Sequence, residues 1–272
     1  GIFFILFLKI LHVKTKKNHE IKEKYIKEKK MNTKNHQKEF SKESIDIYLK
    51  KLSKVYKKLS AGRMPAEIIL VGGSAIAVNY SFRQSSTDID AIIQAPDVMR
   101  DAIFRIRDEE NLPNDWINSD FTKTASFSPM LRLYSKHYRT FYNVVEVRTI
   151  TGAFLIAMKM RSGRIYKHDL SDIIGILIEE NEKRMKPIDI TEIRDACEKL
   201  YGKNRYDTMP AASRKLIENA VNLNIQELRN LYQQQTETEA ENCRLLVQFE
   251  AENPGILNSE NLTEIVENLR QS

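Results

Sequence analysis

Two aspartates, Asp88 and Asp90, stand one residue apart in the run Arg83-Gln84-Ser85-Ser86-Thr87-Asp88-Ile89-Asp90. Thr87 to Ile93 reads as a strand, and side chains at i and i+2 of a strand share a face, so the two carboxylates can share divalent cations. Hard oxygen donors at this spacing suit Mg²⁺, which keeps several waters and takes its remaining ligands from substrate phosphates. Upstream, the apolar strand candidate Glu67–Val71 ends at Gly72-Gly73-Ser74 and a short helix from Ala75 to Ser81 follows. A glycine pair at that point offers backbone N–H groups and the positive end of a helix dipole to phosphate oxygens. Each half alone has an ordinary reading, a turn or a solvated strand face. In this order, separated by one short helix, they place phosphates and magnesium together, which is the geometry nucleotidyl transfer needs.

Three further groups have chemistry to offer. Lys159 falls mid-helix among apolar residues, where an ammonium is costly unless it snorkels or meets an anion. Asp169 and Asp172, three apart on one helix face, either reach a cleft or cap their helix. Arg83 could hold a triphosphate or cap the preceding turn, and Trp116, Tyr134, Tyr138 and Tyr142 could stack on a base or simply fill the core.

These motifs resemble the polymerase-beta-like nucleotidyltransferase superfamily, whose signature is a strand, a Gly-Ser helix start and an acidic pair on the next strand. Val71-Gly72-Gly73-Ser74-Ala75 followed by Arg83, Thr87, Asp88, Ile89 and Asp90 is most similar to its AbiEii-type branch, which has toxins and uncharacterised relatives. The similarity continues through Phe154-Leu155-Ile156-Ala157-Met158-Lys159, Arg161, Arg164 and Lys167-His168-Asp169-Leu170-Ser171-Asp172-Ile173, and covers roughly residues 66–180. It implies an enzyme that uses magnesium, as two ions, to move a nucleoside monophosphate from an NTP to an acceptor. Asp88 and Asp90 would bind the metal, Gly72, Gly73, Ser74 and Arg83 the nucleotide, Lys159 would contact the nucleotide, and Asp169 would complete the site. Such enzymes also use a third carboxylate on a later strand, and Glu146, between Val145 and Val147, is the candidate base if its strand neighbours that of Asp88. Otherwise Glu146 is a solvent-facing residue paired with Arg148 or Lys159.

The elements that must position these groups follow from periodicity. Ile45, Tyr48, Leu49, Leu52, Val55, Tyr56 and Leu59 form a helical stripe, and Asp97 to Glu110 is a second helix. Residues 111–129 read as loop, with room for a short strand from Phe121 to Phe127, and Met130–Tyr134 with Phe141–Ile150 reads as a hairpin. From Ala153 onward the period is helical, with capping pairs Asp189/Glu192 and Asn224/Glu227 and a stop at Gly202. The expected fold is α+β, a nucleotidyltransferase-like mixed sheet flanked by helices and followed by an all-helical C-terminal region, divided as 31–150 and 151–272.

Charge narrows the partners. The net charge of +6 lies entirely in residues 1–30, which hold nine lysines and three glutamates, leaving 34 basic and 34 acidic side chains in the rest. That segment is too short in its apolar run to span a membrane and lacks the order of a signal peptide. It reads as a non-native or disordered extension, translated from upstream of a bacterial start at Met31, with a basic membrane-surface arm as the rival reading. The balanced body argues against long nucleic acid, although Arg132, Lys136, His137 and Arg139 leave a tRNA-sized acceptor open. The acceptor could equally be a protein hydroxyl or a small molecule. Two cysteines and scattered histidines give no disulfide framework or zinc motif, so a cytoplasmic protein without membrane partners is expected. Two rivals remain: an antibiotic-modifying nucleotidyltransferase, and a toxin-antitoxin component, with an antitoxin partner, that binds NTP with little chemistry.

Overall fold

The computed structural model describes residues 38–271. The extension over residues 1–30 and the expected start at Met31 lie outside them. Glu39–Ser272 is one compact unit. A two-residue strand β1 (Phe40–Ser41) leads into α1 (Lys42–Leu59), which Ser41 caps through the Ser44 N–H. The predicted stripe is the buried face: Ile45, Leu49, Leu52 and Tyr56 are inside. Strand β2 (Ala66–Leu70) has Ile68, Ile69 and Leu70 fully buried, the signature of a strand covered on both faces.

Next come α2 (Gly72–Asn79), the short β3 (Ser85–Ser86), β4 (Ile89–Gln94), α3 (Val98–Glu110) and β5 (Ile117–Asn118). The Phe121–Phe127 segment begins with a 3₁₀ turn over Asp120–Lys123, with Thr122 and Thr124 hydroxyls bonded to the backbone three residues earlier, and it forms no strand. Met130–Tyr134 likewise departs from expectation: Leu131–Tyr134 is a helical turn, α4. The hairpin is instead β6 (Lys136–Phe141) with β7 (Val145–Thr149), and its turn has Tyr142 and Asn143 in the left-handed region at φ 54° and 55°. That backbone matches strand twist and usually attracts glycine, so the sequence carried little sign of it.

The five strands run in the order β5-β4-β2-β7-β6. β2 is antiparallel to β4 and parallel to β7, which makes a mixed sheet. The helical half contains α5 (Gly152–Ser162), α6 (Asp169–Lys183), α7 (Ile190–Tyr201), α8 (Ala211–Ala220), α9 (Ile225–Glu252) and α10 (Leu262–Gln271). Asp189 caps α7, and Asn224 with Glu227 forms a reciprocal capping box on α9, as their spacing predicted. α9 packs along α6, and α5 lies between α6 and α7. One hydrophobic core runs through sheet and helices, so the fold is α+β with a helical C-terminal region. Among the described residues no helix is long and apolar enough to cross a membrane.

Gly175 shows how tightly α6 approaches the segment before β3. A Cβ there would lie 2.6 Å from the Phe82 ring. Gly175→Ala should gain about 1 kcal/mol of helix propensity and lose about 1–3 kcal/mol to overpacking against the Phe82 ring, which is itself packed on Tyr80 and Tyr232. A lower melting temperature is expected, and a higher one in thermal denaturation would reject this account of the contact.

Candidate active site

The start of α2 and the start of β4 are tied together by backbone. Val71 N–H donates to the Asp90 carbonyl at 3.0 Å, and the buried Ser74 hydroxyl lies 2.8 Å from the Val71 and Asp90 carbonyls alike. Ser74 is therefore committed through its side chain to holding the turn. Gly72 has φ +56°, and a Cβ on it would lie 3.1 Å from Asp90 Oδ2. At Gly73 a Cβ would collide with Ser86 Oγ at 2.5 Å and crowd Arg83 Nη2 at 3.3 Å. Both glycines exist because other groups occupy the space a side chain would need. No side chain caps α2, and its first residue, Gly72, lies against Asp90.

Asp88 lies just ahead of β4, in a bend, and Asp90 is its second residue. Asp88 accepts from Asn118 Nδ2 at 3.0 Å and from Thr87 Oγ1 at 3.3 Å. Asn118 is the β5 residue in register with Asp90. A two-residue strand has no periodicity, so nothing in the sequence marked it. Burial, followed by the charge of Asp88, pushes the Asp90 carboxyl up to about 6, against the pull of Lys159, Arg164 and Lys167. Those cations offset the charge only in part, and a divalent cation would offset it further. Among the described residues no group of three or more His, Cys, Asp or Glu is placed to hold a metal. The donor set fits a magnesium ion that takes two carboxylates and completes its shell with water and substrate phosphates.

Beside the pair lies a buried charge network. Lys159 on α5 is 6% exposed, and its Nζ lies 3.0 Å from Asp169 Oδ1 and 2.7 Å from Asp172 Oδ2. Arg83 Nη1 reaches Asp172 Oδ2 at 2.8 Å, and Arg164 Nε reaches Asp169 Oδ2 at 2.7 Å. The lysine thus meets anions rather than snorkelling, and both aspartates face it from the first turn of α6. Gly163, left-handed at φ +55°, ends α5 with its N–H on the Lys159 carbonyl, and the chain turns back through Arg164 to Asp169. Burial would raise Asp169, but Lys159 and Arg164 overturn it and hold the carboxyl far below the usual range. Burial likewise opposes the charge on Lys159, yet Asp172 and Asp169 keep it raised.

Glu146 is corrected. Its strand, β7, pairs with the opposite side of β2 from β4, in register with Glu67, and its carboxylate pairs with Arg148 at 2.7 Å. The residue beside the acidic pair is Asn118, so Glu146 is no base for this site. Three of the four aromatic candidates are held in structural contacts. Trp116 is fully buried, Tyr134 stacks on Phe154 with centroids 4.3 Å apart, and Tyr138 donates to Asp46. Tyr142 lies in the hairpin turn. The aromatic pair nearest the charge network is instead Phe82 and Tyr232, edge to face at 5.9 Å. They line a cleft of about 340 Å³ with Arg83, Thr87, His168 and Asp172. The cations offered for RNA are distant: β6 is three strands from β4, with Arg132 paired to Glu67 and Arg139 to Asp46.

Comparison with known proteins places this geometry in a family. Residues 48–221, more than half of the chain, match the model of a family described as nucleotidyltransferase of unknown function (DUF6036). No curated protein and no solved structure matches the chain. The chain belongs to that nucleotidyltransferase family.

Proposed function

We propose that the protein is a magnesium-dependent nucleotidyltransferase whose site is built on Asp88 and Asp90, transferring a nucleoside monophosphate from an NTP to an acceptor. The observation that carries this reading is the convergence of an under-neutralised acidic pair with an uncapped helix start, at the 3.1 Å approach of Gly72 to Asp90. Gly72 and Gly73 offer backbone N–H groups to the phosphates, with Ser74 holding the turn in shape. The metal, held by Asp88 and Asp90, would neutralise charge on the transferring phosphoryl group. Arg83, Lys159 and Arg164 are three cations against the two carboxylates Asp169 and Asp172, so the network presents a net positive wall to a triphosphate. Asp169 and Asp172 orient these cations rather than bind metal. The nucleoside occupies the cleft lined by Phe82, His168 and Tyr232.

The acceptor in this reading is a hydroxyl on a protein, an RNA or a small molecule such as an antibiotic.

Two outcomes are expected. Incubation with each α-³²P-labelled NTP, Mg²⁺ and cell extract should transfer label to one class of acceptor, and Asp88→Ala and Asp90→Ala should abolish it; label that survives either change rejects the site. The second concerns stability without metal. The Asp90 pKa is raised in the fold from 3.8 to about 6, so its stabilising contribution is complete below pH 4 and lost as pH rises through 6. Asp90→Asn, which mimics the neutral acid, should raise stability at pH 8 in EDTA by on the order of 1–2 kcal/mol while removing transfer. A variant less stable than wild type under those conditions would show that Asp90 carries no such repulsion.

A further inference from the structure

The matched family region ends at residue 221, and α9 begins at Ile225. Four residues on one stripe of α9 nevertheless reach the site. Tyr232 and Thr236 line the cleft, and one and two turns further on Glu239 and Asn242 are 1% and 2% exposed. Glu239 Oε1 accepts from the N–H groups of Leu170 at 2.9 Å and Ser171 at 3.3 Å, the residues between Asp169 and Asp172. Its Oε2 is buried without a partner. Asn242 Nδ2 donates to the Ile165 carbonyl at 2.6 Å, next to Arg164.

We infer that α9 is part of the catalytic apparatus, with Glu239 as the positioning residue that caps α6 and thereby fixes Asp169 and Asp172 under Lys159, Arg83 and Arg164. The residue at position 168, which precedes α6, supplies no side-chain cap. The free N–H groups of the first turn would otherwise be left buried, and the acid from α9 satisfies two of them while its charge complements the helix dipole. Burying an acid here is costly: desolvation pushes its carboxyl up to about 7, with the bonds from Ser171 and Leu170 pulling it back. A helix that only covered the core would carry an apolar residue at this point. Asn242 fixes the other end of the same segment, so residues 165–171 are clamped from α9 at two places. The effect reaches the phosphates because each cation of the network takes its direction from Asp169 or Asp172.

The inference rests on the nucleotidyltransferase reading for its kinetic consequence and is tested by two separate readouts. Wild type, Glu239→Ala, Glu239→Gln and, as a control on an exposed face, Glu237→Ala are compared at a temperature where melting curves show all of them folded. Hydrogen exchange of residues 164–173 should rise in Glu239→Ala alone. With the accepted NTP and Mg²⁺, Glu239→Ala should lower kcat about tenfold or more, since small misplacements of positioning groups carry such penalties. KM for the NTP should change by less than about threefold, and Glu239→Gln, which keeps the accepting oxygen, should restore kcat to within about threefold of wild type. Unchanged exchange over 164–173, or raised exchange with wild-type kcat, overturns the positioning role; so does a Glu239→Gln variant as slow as Glu239→Ala. Wild-type protein inactive with all four NTPs would instead refute the nucleotidyltransferase reading, and the exchange readout would still decide whether Glu239 fixes the segment.

Discussion

The pairing of buried Lys159 with Asp169 and Asp172 is the interaction on which the rest of the site depends. An ammonium and two carboxylates taken out of water carry desolvation penalties of several kcal/mol per ion, and they are tolerated only because each charge finds more than one partner. The constraint is geometric as well as energetic. α5 must end at Gly163 so that the chain can return, α6 must begin at Asp169, and the loop holding Arg83 must lie against both. Such a network stabilises the fold less than apolar packing would; in the proposed reading its value is to hold three cations in fixed directions before a substrate arrives.

Opposite it, Asp88 and Asp90 lack that compensation. The site is therefore divided into a carboxylate pair short of positive charge and a cation group with charge to spare. In the proposed reading a triphosphate with its metal would satisfy both halves at once, with the metal on one and the phosphate oxygens on the other. Either half by itself would be an ordinary feature of a folded protein. Their adjacency comes from β4 running beside β2, which brings Asp90 to the start of α2.

Much of this was legible where one element carried the information. Gly72-Gly73 and Asp88-Ile89-Asp90 are local patterns, and the turn and helix are present, but the strand begins at Ile89, so Asp88 stands in the bend before it and not on one strand face with Asp90. Of the two readings left open for Lys159, snorkelling or meeting an anion, the fold takes the second through Asp169 and Asp172. What failed, or went unseen, depended on which strand lies beside which. Glu146 alternates properly between two valines, yet sheet order puts it on the wrong side of β2. Asn118 and Glu239 came into reach only through chain reversals that no local period encodes. Ser74 fits the motif in type, while its hydroxyl turns inward to the backbone.

The placement of β6 gives the basic residues of the hairpin a different meaning. It is an outer strand of the sheet, with Lys136, His137 and Arg139 exposed on its length. An outer strand leaves unpaired backbone groups that can add a strand from another molecule, and charged side chains along it, lysine above all, discourage that addition. The bulge between His137 and Arg139 breaks the regular ladder at the same place. Cations that look, in the sequence, like a surface for binding a polyanion also stand where charge opposes edge-to-edge growth of this sheet.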